Sequence, residues 1–252
     1  MQGWGKSLPS LLYEAKGSEG LHWMTELSHN LYRTFIEKGR YIAFLKGIGT
    51  TLEISFFAVL LGTAIGVIVA VVKHMAKKYR FLRPLEWLSD AYVLVIRGTP
   101  VYVQLLVLNT VVLASVQNKI LVAVITFGVN SGAYVAEIIR AGINSVDKGQ
   151  FEAGNSLGLG DGTVMQLIIL PQAVRNILPA LGNEFITLVK ETSIAGTMAV
   201  NDLTKAAERV GGATYDLYTP LLSIAVIYFV LVFGMTRLLN RFERRLAKSD
   251  NR

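Results

Sequence analysis

The chain has 252 residues, 52% of them hydrophobic and only 17% charged, against about 25% charged in soluble domains, so a soluble fold is excluded and a membrane protein is expected. That length suits one membrane domain without an added nucleotide-binding or solute-binding domain. The formal net charge of +7 does not indicate nucleic acid, because the basic residues gather at the ends of apolar segments, and the lack of cysteine excludes disulfides and thiolate metal sites.

Residues 1–46 are moderately apolar and lack the layout of a secretory signal. Trp4, Leu8, Leu11 and Leu12, then Leu21, Trp23, Met24, Leu27, Leu31 and Phe35, are spaced for amphipathic helices. These either lie on the membrane surface or pack on the bundle. Residues 47–239 form the expected transmembrane domain. Its first span, Ile48 to Val72, is long enough to cross a hydrocarbon core of roughly 30 Å. Its one charge, Glu53, falls one turn inside the outer end and reads as wetted. Gly62 and Gly66 stand four apart, which permits close helix packing. The basic run Lys73, Lys77, Lys78, Arg80 and Arg83 then marks the cytoplasmic side.

Leu85 to Ile96 returns toward the membrane, and Arg97-Gly98-Thr99-Pro100 precedes a second span from Val101 to about Val116. Pro100 has no N–H and is expected to kink or start the helix there. Arg97 falls near the cytoplasmic boundary, within reach of headgroups or a partner. After an outer turn at Gln117-Asn118-Lys119, the third span runs from Ile120 to Ile139. Asn130 and Ser131 lie near its middle, where unsatisfied polar groups are costly; they bond either another helix or something held in a cavity. Glu137 and Arg140, three apart, are expected to pair.

Gly142 to Gln172 is the long polar interruption of the second half. Phe151, Ala153, Leu157, Val164, Leu167 and Ile168 recur at helical spacing, so two short amphipathic helices joined at Gly158 to Gly162 are expected. The fourth span, Ala173 to Val200, carries Asn183, Glu184, Thr187, Lys190, Glu191, Thr192 and Ser193. So many polar groups cannot face lipid and must line a cavity or the bundle interior. Lys190 either pairs structurally with a carboxylate, or Lys190 and the glutamates offer opposite charges to a zwitterion. Asn201 to Thr219 is an outer polar segment with a break at Gly211-Gly212, and Pro220 to Leu239 is the fifth span. Residues 240–252 are a basic tail, hence cytoplasmic.

The fold class is therefore all-α, a polytopic membrane protein with five predicted transmembrane helices. Its amino end lies outside, its carboxyl end inside, and loop 142–172 in the cytoplasm. No phosphate-binding loop or catalytic constellation is present in the sequence, and His22, His29 and His74 have no ligand spacing. No cofactor or metal is expected on this chain.

Glu152-Ala153-Gly154, then Gly158, Ile168 and Leu170-Pro171, resembles the EAA loop of the membrane-spanning subunits of bacterial ABC importers, with Gly154 at the usual second alanine. Arg97 to Pro100 with Val103-Gln104, the run Asn130 to Glu137, and Lys190-Glu191-Thr192-Ser193 are similar to the polar amino-acid permeases of that group, which have Asp where Glu191 stands. The resemblance covers Gly47 to about Arg209. It implies that the loop is a coupling helix seated in a cleft of a separate ATPase subunit, with Glu152, Ala153, Gly154, Gly158 and Pro171 at or beside that contact. It implies two such permeases, identical or homologous, over an ABC ATPase dimer that holds ATP and Mg, in the bacterial cytoplasmic (inner) membrane. An extracytoplasmic solute-binding protein would deliver the amino-acid substrate. Asn130, Ser131, Asn183, Glu184, Thr187, Lys190, Glu191 and Thr192 are the candidates for the substrate path. An ion-coupled secondary carrier or channel, with Glu184, Lys190 and Glu191 as a relay, leaves the loop without a purpose. A membrane anchor for other subunits leaves the polar fourth span without one.

Overall fold

The computed structural model describes residues 23–249, and every regular element among them is helical. Helix α1 is described over residues 23–31 and passes through a π turn, Tyr32–Ile36, toward α2, Tyr41–Lys78. Then come α3, Arg83–Gly98, and α4, Val101–Val107, extended by a π turn to Val112. Helix α5 is Lys119–Asn144, α6 Lys148–Ser156 and α7 Asp161–Val164. Helix α8 is Leu170–Glu191, continued by a 3-10 segment Thr192–Met198; α9 is Leu203–Thr214 and α10 Tyr218–Ser249.

Among the described residues, four segments are long and apolar enough to cross a membrane: Tyr41–Ala76, Lys119–Asn144, Asp161–Met198 and Tyr218–Leu246. The expected second crossing is instead a broken pair, Arg80–Gly98 with Val101–Val112, bent by 107°. The break falls where Pro100 stands, with Thr99 before it extended at φ −120° and ψ 144°. Proline forces that conformation on its predecessor by steric clash.

Three boundaries differ from the expectation. The first crossing begins at Tyr41 and not Ile48, so Glu53 lies about three turns into the helix; it is exposed there, facing an open cleft. Gly211-Gly212 is no break: α9 runs through both and ends at Tyr215, whose φ is +57°. The apolar stripe Leu203, Ala207 and Val210 holds that helix against Phe44 and Ile224, and this packing outweighs the low helix propensity of glycine. The basic tail is not a separate segment within the described residues, since α10 carries it on as helix to Ser249. Of the apolar residues proposed near the amino end, Trp4 to Leu21 lie outside the described residues. Trp23, Met24, Leu27 and Leu31 are exposed, whereas Phe35 packs on Phe44 with ring centroids 4.9 Å apart.

Helices α2 and α5 run in the same direction and touch along Gly62 and Gly66. A Cβ at Gly62 would stand 2.8 Å from Ser131 Oγ, and one at Gly66 2.6 Å from Val135 Cγ1 and 2.9 Å from the Ala136 backbone nitrogen. Helix α10 follows α2's direction: Tyr228 and Thr51 lie near the α9 start, and Leu239 meets Gly182 on α8. Helix α8 runs the other way, with Glu184 against Ser131 and Ile177 against Gly142. The basic ends of α2 and α10 and the α5–α8 loop thus share one end. Helix α3 lies obliquely across α2 and α5 near that end, with Val93 on Val69, Asp90 on Lys73 and Arg97 on Glu137. The main core joins Ile54, Leu105, Val122, Phe127, Leu188 and Met198 at the opposite half.

Asp202 caps α9, its Oδ1 accepting from Lys205 N at 2.9 Å, while its Oδ2 is enclosed without a hydrogen-bond partner among the described residues. Burial, with Glu208 nearby adding a smaller push, raises its carboxyl to about 6. The native state therefore holds that proton where the unfolded chain has released it, so stability falls as pH rises from about 4 to about 6 and stays lower above. Asp202→Asn keeps the cap and removes the charge. It is expected to raise the thermal midpoint in detergent at pH 7, by about 1–3 kcal/mol of stability, and to flatten the pH dependence over that window. Gly66→Ala is expected to cost about 1–3 kcal/mol by overpacking against backbone. Gly49→Ala, where an added Cβ meets nothing within 4 Å, is the control and should leave the midpoint unchanged or slightly raised.

Candidate functional site

The polar residues of α5 are almost fully enclosed: Asn130 is 3% exposed and Ser131 0%. Ser131 Oγ donates to Glu184 Oε1 on α8 at 2.7 Å, and Asn130 Nδ2 donates to Gln104 Oε1 on α4 at 3.0 Å. Both thus bond other helices in the protomer. Ser131 fits there because Gly62 leaves its side vacant.

On α8, Glu184, Thr187 and Glu191 are half-buried and share a face, two turns from end to end. Glu184 and Glu191 are acceptors suited to a charged donor such as an ammonium group. Lys190 is exposed and forms no ion pair with either glutamate among the described residues. Asn183 is exposed and turns its Nδ2 back to Pro179 O at 3.3 Å. Thr192 is enclosed, its hydroxyl donated to Val189 O at 3.0 Å. At the end away from the loop, a cleft of about 650 Å³ is lined by Lys46, Glu53, Asn118, Lys119 and Asn201 among others.

Three polar residues of this region were not singled out as site candidates from the sequence. Gln104 bonds both Asn130 and the α3–α4 break, Tyr92 OH donates to Val129 O at 2.6 Å, and Asn109 Oδ1 is enclosed without a hydrogen-bond partner among the described residues. A signal for Gln104 was available: it stands one turn beyond a proline that deletes a backbone donor.

The α5–α8 loop is one short helix folded against the start of the next crossing, not two separate helices, because α7 passes through a π turn into α8 without a stop. Asp147 caps α6, its Oδ1 accepting from Gly149 N at 2.6 Å. Glu152 and Ala153 face outward, whereas Gly154 is buried. A Cβ at Gly154 would lie 2.8 Å from Val164 Cγ2, which accounts for glycine where the related motif has alanine. Gly158 takes φ +79°, the left-handed turn that ends α6, and next to it Leu157 is 81% exposed. Pro171 is in the first turn of α8, exposed. Ion pairs brace this end: Lys73 with Asp90 at 2.6 Å, and Glu137 with Arg140 at 2.7 Å and Arg97 at 3.7 Å. The Arg97 guanidinium also lies 5.3 Å from the Tyr134 ring centre.

Comparison with known proteins agrees with this arrangement. The arginine transport system permease protein ArtQ of Bacillus subtilis (strain 168) is 38% identical over 209 residues, covering 82% of this chain and 93% of that protein. A putative glutamine transport system permease protein GlnP of Rickettsia bellii (strain RML369-C) is 40% identical over 208 residues, covering 81% and 93%. A crystal structure of an amino acid ABC transporter with histidines superposes with a TM-score of 0.78 at 41% identity, over 84% of this chain and 98% of that one. Residues 62–248, from the glycine contact of α2 to the carboxyl end of α10, match the description "Binding-protein-dependent transport system inner membrane component", and the chain belongs to that family.

Proposed function

We propose that this chain is the permease subunit of an ATP-driven importer of a polar amino acid. Its translocation path follows the α5–α8 face, and α6 receives motion from a separate ATPase. The observation that carries the reading is mechanical. Helix α6 presents Glu152 and Ala153 outward, with Gly158 exposed in the turn that ends it, while Gly154 seats its inner side on Val164, on the stretch that continues into α8. A displacement of α6 is thus delivered to the helix that bears Glu184 and Glu191.

The substrate class follows from charge. The relatives compared are named for arginine and glutamine transport, and both amino acids share an α-ammonium and an α-carboxylate. In this reading Glu184 and Glu191 accept from the ammonium and Lys190 donates to the carboxylate. In this reading the chain sits in the bacterial inner membrane with the loop and carboxyl end in the cytoplasm and the amino end outside, and the basic ends of α2 and α10 support that orientation. The partners are an ATPase dimer holding ATP and Mg, a second permease copy or homologue, and an extracytoplasmic binding protein delivering to the cleft beside Glu53.

The test is amino-acid uptake and stimulated ATP hydrolysis in liposomes carrying the assembled complex and its binding protein. Glu152→Lys reverses a charge in the docking contact, where mismatch costs several kcal/mol, so coupled uptake is expected to fall about a hundredfold while the membrane fold persists. Glu184→Gln removes a charge-assisted bond and is expected to lower uptake about tenfold with the ATPase still bound. Uptake that proceeds without the ATPase and follows an imposed ion gradient would instead establish an ion-coupled carrier.

A further inference from the structure

One side chain holds the α3–α4 break. In a continuous helix the N–H at position 100 would bond the carbonyl of Ile96, four residues back, and Pro100 has none. Gln104, one turn beyond, supplies the missing donor: its Nε2 lies 2.7 Å from Ile96 O, 2.9 Å from Thr99 Oγ1 and 3.1 Å from Thr99 O. Three acceptors around Nε2 settle the orientation of the amide, since the flipped form would set Oε1 against two carbonyl oxygens. Oε1 is therefore turned away from the break, and there it accepts from Asn130 Nδ2 at 3.0 Å. Gln104 N also donates to Pro100 O at 3.2 Å, so the side chain is rooted in the turn it repairs.

Asn130 and Ser131 are neighbours on α5, and side chains one residue apart diverge by about 100° around a helix. One reaches α4 and the other α8. The grip of Gln104 on Asn130 thus restrains the rotation of α5 that brings Ser131 Oγ to 2.7 Å from Glu184. Repair of the break uses only the donor end of Gln104; the acceptor end is what extends to α5.

We propose that Gln104 is a positioning residue for transport, linking the broken span to the Ser131–Glu184 pair through Asn130. The inference rests on the reading of the chain as an amino-acid permease and adds a residue to it. Two consequences follow. Transport depends on the Gln104–Asn130 bond itself, and restoring the lost backbone donor does not replace it.

The experiment measures ATP-driven uptake of radiolabelled arginine and glutamine by the complete complex in liposomes. It compares wild type, Gln104→Met, Asn130→Ala, their combination, Pro100→Ala and Gln104→Met with Pro100→Ala; retention of the ATPase subunit on purification reports assembly. Gln104→Met is expected to lower the saturating rate about tenfold with the ATPase retained. The combination with Asn130→Ala is expected to be no worse than either single change, because one interaction is lost once. Adding Pro100→Ala restores a backbone N–H at position 100 and is expected to leave uptake low. Wild-type rates in Gln104→Met, recovery on adding Pro100→Ala, or losses that multiply in the Asn130 combination would each overturn the proposal. Multiplied losses would mean that Asn130 acts on the substrate independently of Gln104. The chain has no cysteine, so spin labels at Leu94→Cys and Val111→Cys, both exposed, report the bend. If Pro100→Ala straightens the span, the Asn130 cycle decides. If Gln104→Met does not assemble, Asn130→Ala alone decides, and wild-type uptake in it overturns the proposal. If wild type takes up neither, the same variants are compared on whichever polar amino acid its binding protein delivers, and failure of wild type to take up any of them with ATP would sink the permease reading instead, which separates the two failures.

Discussion

Lipid offers no hydrogen-bond partner, so each polar group within the bilayer has to be bonded by the protein or by what the protein encloses. The interior of this bundle is arranged by that requirement. Ser131 reaches Glu184, Asn130 reaches Gln104, and Gln104 reaches the carbonyl that Pro100 leaves without a donor. Each bond joins a different pair of elements, so that α3, α4, α5 and α8 are tied together by polar contacts that apolar packing alone would not specify. The glycines of α2 serve the same end: Gly62 leaves the space in which Ser131 can stand close enough to α8.

A second feature is continuity. The segment from α7 through the π turn to α8 has no stop, so the carboxylate-bearing helix begins at the loop itself. Helix α6 is seated on it at Gly154, where a methyl group would collide with Val164. Under the proposed function, the outer surface of α6 receives force and α8 carries it to the level of Glu184. A flexible link between the two would dissipate that displacement; close packing transmits it.

Much of this was legible in the sequence, because the informative features were local. Apolar runs of crossing length, basic residues at their ends, and Pro100 with its disfavoured predecessor each act over a few residues. The Glu137–Arg140 pair, the close approach at Gly62 and Gly66, and the turn at Gly158 belong to the same class. Where the expectation missed, a long-range contact had intervened. Gly211-Gly212 would break an isolated helix, but the stripe Leu203, Ala207 and Val210 has a surface to bury against. The loop's second helix reads as separate in the sequence because its polar start hides that it is the first turn of a crossing.

Sequence alone determined the class of protein, the number and order of its apolar segments and the position of its coupling-type loop, since hydropathy and helix period are properties of neighbouring residues. Tertiary structure decided that Asn130 and Ser131 bond two different helices, that Thr192 turns inward while Lys190 stays exposed, and that Gln104 is the hub of the α3–α4 break. Those outcomes depend on the rotation of each helix about its own axis. Rotation is set by which neighbour can approach closely and which polar group needs a partner, and neither is defined until the helices are packed together.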